Sequence, residues 1–488
     1  MKTRKRIITL FTSMVVYVSV LTGQIVPDFK LYNNINFPDA VINNDTIHVV
    51  YGNYNDGIIY FNLDTGFNAI SDTLLVNNTI YGLNSSIDAR NNNIASSWVV
   101  NYGLHKEIQG TVFRSNNDPQ IASIRLDETP SDNSLGSPSI CFLNDTLLAS
   151  VWHGNVSTNK SDIRGQLLTI DNELIGSDFW VNEFENIYDD ITSRQPLIKS
   201  FEQNSDFVIA WIDDRNGEDN IYGRLFDSNS IPKDSSFLIS DTPTSLDNFL
   251  FTSMGMDNAG NFVVVWSAED SSGWNIFYRW FNKDTQPITS VITLTDSLDN
   301  VHPWADVCCS ISENGESIIS WESDIGSYNR IVAQRFNNER KKIGEPFRIS
   351  TVDNQKSEYY IKIILYHNKI YSLWRISGSG VWANVLDFNN PVTSIEENEL
   401  PTQFTLSQNY PNPLNPTTTI EYELPEAQNI KLQVFDITGH LVETLYNGFK
   451  EAGHWDVTWD AGNYSSGIYI YRLEYGDKHV SRKMVLMK

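Results

Sequence analysis

The chain has 488 residues and a formal net charge of −25, with 60 acidic side chains against 35 Lys and Arg. A surface this acidic repels phosphate groups, which excludes nucleic acid as a partner and favours cations or neutral ligands. The length permits two to four domains. Cys141, Cys308 and Cys309 form no C-x-x-C pair, and we interpret them as buried apolar residues.

Residues 1–23 have the form of a secretory signal peptide. Four basic residues precede an apolar run from Ile7 to Leu21, and the small residues Thr22 and Gly23 offer a cleavage point before Gln24. The alternative is an N-terminal anchor, although the run is short and polar for a permanent span. No later stretch reaches the roughly 20 apolar residues of a spanning helix, so we expect no transmembrane segment in the mature chain.

A repeat organises residues 24–392. An apolar run that ends in an aromatic anchor recurs at intervals of 47 to 59 residues. The anchors are Tyr51, Trp98, Trp152, Trp211, Trp266, Trp321 and Trp374. Each run is apolar on both faces, which is typical of a strand packed between two sheets. A short strand precedes each anchor run and two more follow it, so the period predicts an all-β, seven-bladed β-propeller. A tandem array of β-sandwiches is the alternative, but it needs roughly 100 residues per unit.

Two further features bear on this architecture. The strand after each anchor run has a small residue at its third place, as in Gly165 and Gly223, which we expect to face a tightly packed neighbour. Residues Asp28 to Leu31 resemble the outer strands but precede the first blade. We predict that they pair with Val381 to Leu386 and close the ring, because closure removes open sheet edges.

The segment from Trp211 to Ile221 reads WIDDRNGEDNI and resembles the repeats of bacterial secreted propeller-like proteins. The resemblance implies an architecture and leaves the activity open. In a propeller, the loops between second and third strands share one face with the loops that enter each first strand. That face is the usual ligand site.

Acidic residues dominate the candidate ligand-binding positions in these loops. The candidates are Asp213, Asp214, Arg215, Glu269, Asp270, Glu322, Asp324, His153 and Arg375. Such a face could bind a glycan, a protein or Ca²⁺, or could simply be solvated. No loop has the D-x-D-x-D-G spacing of a calcium motif, so no cofactor is indicated and Ca²⁺ is the one metal left open. For Asp213 to Arg215 we favour a loop closed by an Asp–Arg pair over a ligand clamp.

Two functions are open at this stage. The first is an exported binding or adhesion protein whose loop face holds a glycan or protein ligand. The second is a carbohydrate-active enzyme, a glycoside hydrolase or lyase, which would need two carboxyl groups roughly 5 to 10 Å apart. Many carboxylates are available, but the sequence selects no pair and contains no G-x-S-x-G, H-E-x-x-H or phosphate-loop motif. The catalytic residues are therefore unassigned.

Residues 393–400 are acidic and lack apolar periodicity, which predicts a linker to a second domain at 401–488. Strand-period alternation there predicts a small β-sandwich. Four segments, LSQNYPNPLNPTT from Leu406, VFDITG from Val434, SGIY from Ser466 and the final KMVLMK, resemble the type A C-terminal sorting domain of type IX secretion. Leu414 stands where Phe is usual. A plain immunoglobulin-like adhesive module is the alternative.

This resemblance implies several properties of the whole chain. The type IX secretion machinery would be a partner, and the protein would cross the outer membrane of a Gram-negative bacterium. The sorting domain would then be removed, and the mature protein would be released or attached to the cell surface.

Overall fold

The structure is a computed structural model. It describes residues 24–487 except 33–35, 54–56, 71–73, 78–81, 104, 115–122, 129–134, 158–159, 184–192, 242–251, 296–299, 304, 326, 351–355, 378, 392–403, 451–452 and 477. The predicted signal peptide and linker lie outside these residues. The chain divides into two compact units, Met1–Thr393 and Ser394–Lys488. No described helix is long and apolar enough to cross a membrane.

The first unit contains 28 strands among its described residues. They are β1 (Gln24–Tyr32), β2 (Asn36–Asn43), β3 (Thr46–Asn53), β4 (Gly57–Asp64), β5 (Leu74–Asn77), β6 (Gly82–Arg90), β7 (Asn93–Asn101), β8 (Lys106–Arg114), β9 (Ile124–Arg125), β10 (Gly136–Phe142), β11 (Leu147–Ser157), β12 (Lys160–Thr169), β13 (Leu174–Trp180), β14 (Ser193–Ser200), β15 (Phe207–Asp213), β16 (Asn220–Phe226), β17 (Phe237–Leu238), β18 (Thr252–Met256), β19 (Phe262–Asp270), β20 (Gly273–Phe281), β21 (Ile292–Thr293), β22 (Val307–Ile311), β23 (Ser317–Ile325), β24 (Tyr328–Phe336), β25 (Lys342–Arg348), β26 (Glu358–Tyr366), β27 (Lys369–Ile376) and β28 (Gly380–Asp387).

These strands form seven four-stranded antiparallel sheets, which we number as blades 1 to 7 in chain order. Blade 1 is β2-β3-β4-β5, each later blade takes the next four strands, and blade 7 is β26-β27-β28 with β1. The first strands of consecutive blades contact one another, and β26 contacts β2, so the sheets close a ring around the first strands. The prediction of an all-β propeller is confirmed.

The anchor strands form the core of the blades. Every residue of β15 is buried, and the anchor Trp residues of blades 2 to 7 are fully buried. A Cβ atom added to Gly165 would lie 2.4 Å from Cζ of Phe179, and one added to Gly223 would lie 2.6 Å from Cζ of Phe237. The small residues of the third strands therefore face the tightly packed neighbours that the sequence predicts, here aromatic rings of the outer strands.

The ring closes as predicted from the sequence. β1 pairs antiparallel with β28, with Phe29 opposite Ala383 and Lys30 opposite Trp382. At the same seam the Lys362 ammonium of blade 7 lies 2.6 Å from the Asp39 carboxylate of blade 1. The second oxygen of that carboxylate accepts a hydrogen bond from the Ile87 N–H of blade 2. One side chain thus connects three blades.

At other positions too, side chains of one blade accept hydrogen bonds from backbone N–H groups in the first strand of the next blade. The Asp88 carboxylate accepts from the Phe142 N–H at 2.8 Å, and the Ser310 hydroxyl accepts from the Leu365 N–H at 2.9 Å. Cys308 acts similarly, since its sulfur accepts from the Ile363 N–H. All three cysteines are buried and unbridged, as interpreted from their spacing. These contacts pair backbone groups that an innermost strand would otherwise leave open.

The second unit is a small two-sheet β-sandwich over the described residues. One sheet has the order β29-β30-β33 and the other β32-β31-β34-β35. The strands are β29 (Thr405–Leu406), β30 (Thr417–Leu424), β31 (Gln428–Asp436), β32 (Leu441–Lys450), β33 (Gly453–Asp460), β34 (Gly467–Tyr475) and β35 (Lys478–Leu486). Alternate residues such as Ile420, Leu432 and Tyr471 fill the core between the two sheets.

Candidate functional site

The blade 4 loop after Trp211 is a closed structural loop. Asp213 is 1% exposed, and its carboxylate accepts from Nε and Nη2 of Arg215 at 2.9 and 2.8 Å and from the Trp211 indole at 3.1 Å. Although burial alone would raise the pKa of Asp213, the hydrogen bonds and charge of Arg215 hold it below its ordinary value. Asp214 contributes its carbonyl to the turn by accepting from the Gly217 N–H at 2.8 Å. The Asp–Arg pair therefore closes this loop.

The blade 5 candidates lie at an exposed hairpin. Asp270 pairs with Gly273 across a two-residue turn, and its Oδ1 accepts from the Ser272 N–H and hydroxyl at 2.7 and 2.6 Å. Gly273 has a φ of +117°, a conformation that favours glycine. Glu269 is also exposed. The Asp270 carboxylate thus has a local role in forming the turn.

Blades 6 and 7 bring several candidates together near the ends of their first and second strands. Glu322, only 4% exposed, accepts from the Tyr360 N–H at 2.9 Å. The Arg375 guanidinium lies 6.0 Å from the centre of the Tyr360 ring. Asp306 stands next to Val307, which pairs with Trp321, so Asp306 lies beside Glu322 across the strand pair. We call Asp306, Glu322, Tyr360 and Arg375 the mouth cluster.

The two carboxyl groups of the mouth cluster hold protons unusually well. Burial, and then the charge of Asp306, raise the pKa of Glu322 to about 8. Burial likewise raises the pKa of Asp306 to about 7. Near neutral pH, the pair can both donate and accept hydrogen bonds.

Asp324, the remaining blade 6 candidate, lies beside this cluster. Its carboxylate is 2.7 Å from Nδ1 of His302, and its N–H donates to the Asn300 carbonyl. His302 in turn donates its own N–H to the Glu322 carbonyl at 3.1 Å. The pair fixes the segment that enters the first strand of blade 6.

Sequence reasoning did not select Asp306 or Tyr360. Neither lies in a loop between second and third strands, from which all the selected candidates came, although the loops that enter each first strand were also expected on the ligand face. The signal available was the register, because the residue before a first strand lies opposite the residue that follows the anchor Trp. Tyr360 has a positive φ of +54°, and its counterparts Ser137 and Gln195 also have a positive φ. All three residues lie at register irregularities of first strands.

His153 lies apart from the mouth cluster, in blade 3. It follows Trp152 as Glu322 follows Trp321 and Arg375 follows Trp374. Burial, and then the charges of Lys106 and Arg194, lower the pKa of His153 to about 4. Its Nδ1 atom is buried and makes no hydrogen bond.

Within the described ranges, no three His, Cys, Asp or Glu side chains converge to form a metal site. Ca²⁺ binding by the loop face stays a prediction.

In the second unit, the segment from Asn409 to Leu414 holds the last strand in place. Leu414 is fully buried, its N–H donates to the Val485 carbonyl at 2.8 Å, and its carbonyl accepts from the Met487 N–H at 3.0 Å. The Asn412 side chain accepts from the Val485 N–H at 2.9 Å. The predicted opening motif and the predicted final motif are therefore one packed structure, in which Leu at position 414 is accommodated.

Residues 408–487 match the family model described as the secretion system C-terminal sorting domain. The C-terminal unit is a type IX sorting domain. The chain is accordingly an exported protein, either secreted or attached to the cell surface. No curated protein matches the chain.

Several solved structures are similar to the chain at low sequence identity. An ulvan lyase bound to an oligosaccharide is 9% identical, covers 77% of this chain and 98% of its own, and has a TM-score of 0.48. An oligogalacturonate lyase in complex with manganese is 9% identical, with coverages of 75% and 94% and a TM-score of 0.45. A protein of unknown function from Dyadobacter fermentans is 10% identical, with coverages of 64% and 96% and a TM-score of 0.44.

Proposed function

We propose that this exported propeller is a binding protein that holds a saccharide at the mouth cluster. The observation that carries the proposal is the placement of the Asp306 and Glu322 carboxyl groups side by side, next to Tyr360 and Arg375. Their raised pKa values support it. A saccharide presents closely spaced hydroxyl groups that both donate and accept hydrogen bonds. A half-protonated carboxyl pair, a guanidinium and an aromatic ring offer complementary groups within a small area.

The roles within the cluster differ. Glu322 is almost fully buried and bonded to the Tyr360 N–H, so it positions the blade 7 strand and modulates the charge of its neighbour. Asp306 is the more accessible carboxyl, and Arg375 and Tyr360 are both partly exposed. We therefore assign the direct ligand contacts to Asp306, Arg375 and Tyr360.

A carbohydrate-active enzyme is the second candidate, and the same carboxyl pair favours it. Glycoside hydrolysis needs one carboxyl that is protonated at neutral pH and a second that is ionised. Groups with pKa values of about 8 and about 7 meet the first requirement, and the lower of the two is partly ionised at pH 7. Turnover would then depend on Asp306 and Glu322 together.

A glycan array and a panel of chromogenic glycosides, both run on the chain from Gln24 to Lys488, separate the two functions. We expect the unchanged chain to bind a saccharide on the array. Asp306→Asn and Arg375→Met should each abolish this binding. Asp270→Asn is the matched control, because that carboxyl serves only an exposed hairpin. Turnover that Asp306→Asn removes would establish the enzyme, and a chain that retains no glycan on the array would refute saccharide binding.

A further inference from the structure

Blades 2, 3 and 4 each carry one cationic or imidazole side chain of a single electrostatic group. His153 lies on β11 of blade 3, Lys106 begins β8 of blade 2, and Arg194 lies on β14 of blade 4. β10 contacts both β6 and β14, and β14 also contacts β11, so blade 3 packs directly on blades 2 and 4. The charges of Lys106 and Arg194 both act on the His153 ring. This group, which we call the cationic site, stands out in a chain with a net charge of −25.

The backbone leaves room for the imidazole ring. His153 pairs with Gly136 across the β10–β11 register, and a Cβ atom at Gly136 would lie 2.7 Å from Cε1 and 2.9 Å from Nε2 of the ring. Any larger residue at 136 would displace it. Nearby, the Ser161 hydroxyl donates to the Ser193 carbonyl at 2.6 Å, which ties blade 3 to the residue before Arg194. The ring therefore packs tightly against the backbone of Gly136.

The hydrogen-bonding capacity of the site is not used up by the protein. Nδ1 of His153 is buried without a partner, although buried polar atoms are nearly always paired. Lys106 forms no ion pair with any described residue. It is half-buried, and this burial lowers its pKa. Arg194 uses one of its guanidinium nitrogen atoms, Nη2, to pair with Asp219. An anionic group would accept hydrogen bonds from all three side chains and would offset the cost of burying them.

We infer that the cationic site binds the carboxylate or sulfate group of an acidic saccharide. The anionic character of the ligand follows from Lys106, Arg194 and His153. Its identity as a saccharide rests on the proposed function. The mouth cluster and the cationic site lie in blades 6 and 7 and in blades 2 to 4, so one polymeric ligand would contact separate parts of the same face.

Binding of four defined polymers to the chain from Gln24 to Lys488 tests this inference. Polygalacturonate presents carboxylates, dextran sulfate presents sulfates, dextran is neutral and polyglutamate is an acidic peptide. We expect one or both acidic polysaccharides to bind more tightly than dextran. Lys106→Met and His153→Gln should each weaken that binding at least about tenfold, as expected for the loss of a charge-assisted or buried hydrogen bond. Lys341→Met is the control, because Lys341 is 73% exposed and pairs only with Glu339. Thermal melting checks that each variant folds, and Lys106→Met removes no core atom.

The outcomes separate this inference from the proposed function. A loss confined to polygalacturonate assigns the site to carboxylates, and a loss confined to dextran sulfate assigns it to sulfates. Saccharide binding that Asp306→Asn abolishes but Lys106→Met and His153→Gln leave unchanged overturns the cationic site and preserves the proposed function. If polyglutamate binds, if Lys106→Met and His153→Gln weaken that binding, and if no saccharide binds, the ligand is not a saccharide. That result would support an acidic protein ligand at the same site.

Discussion

Replacing Asp39 with Ala tests how the propeller ring is held closed. The carboxylate accepts from the Ala40 N–H at 2.9 Å and the Ile87 N–H at 3.0 Å, and lies 2.6 Å from Nζ of Lys362. The substitution removes all three contacts and leaves the Lys362 charge inside the ring. Burial alone would lower the pKa of Lys362, and the Asp39 charge raises it. The substitution therefore leaves the Lys362 amine to bear the cost of burial without its partner.

The magnitude follows from burial. Removing one partner of a buried ion pair costs roughly 3 to 5 kcal/mol. Because the Lys362 and Asp39 side chains are 32% and 21% exposed, we take the lower end, about 3 kcal/mol. For a unit that runs from Gln24 to Thr393, an unfolding entropy of about 2.1 cal/mol/K per residue converts this cost into a Tm that is lower by about 4 °C.

Differential scanning calorimetry at one scan rate measures the effect, since Tm depends on scan rate when unfolding is irreversible. Asp284→Ala is the matched control, because Asp284 lies exposed in a turn of blade 5, away from the seam, and should change stability by less than about 0.5 kcal/mol. The double variant Asp39→Asn with Lys362→Met should lose less than Asp39→Ala, because no unpaired charge is left. Equal Tm values for Asp39→Ala and Asp284→Ala would refute this account of ring closure.

Three further predictions follow from the same structure. Glu322 stays protonated in the folded state up to about pH 8, whereas in the unfolded chain it loses its proton above pH 4.5, its ordinary pKa. Raising the pH from 4.5 to about 8 therefore favours the unfolded chain and lowers the stability. Glu322→Gln should therefore reduce the fall in Tm between pH 5 and pH 8.5, and an unchanged fall would contradict the raised pKa. Gly165→Ala should cost about 1 to 3 kcal/mol in denaturant unfolding through overpacking against Phe179. Gly448→Ala, where the nearest atom is 3.7 Å away, should cost less, and equal losses would exclude overpacking. Intact-mass measurement of the protein recovered from its native host should show a chain that begins near Gln24 and lacks residues 400–488, whereas a chain still ending at Lys488 would show that the sandwich is retained.

Local patterns in the sequence predict the architecture of the propeller. The recurring apolar runs predict the buried anchor strands because a strand between two sheets must be apolar on both faces. The small third-strand residues predict close aromatic neighbours, and Asp28 to Leu31 predict the closing strand. The sorting domain is recognisable for a similar reason, since its opening and final motifs are short continuous segments.

Only the tertiary structure distributed the polar candidates among distinct environments. Asp213 and Asp270 are alike in the sequence, yet one is buried in a bidentate ion pair and the other forms an exposed turn. Asp306 lies beside Glu322, and the charges of Lys106 and Arg194 act on His153, because strand register and blade packing bring together residues that are far apart in the chain. Charge, burial and hydrogen bonding depend on these distances, which no local sequence pattern contains.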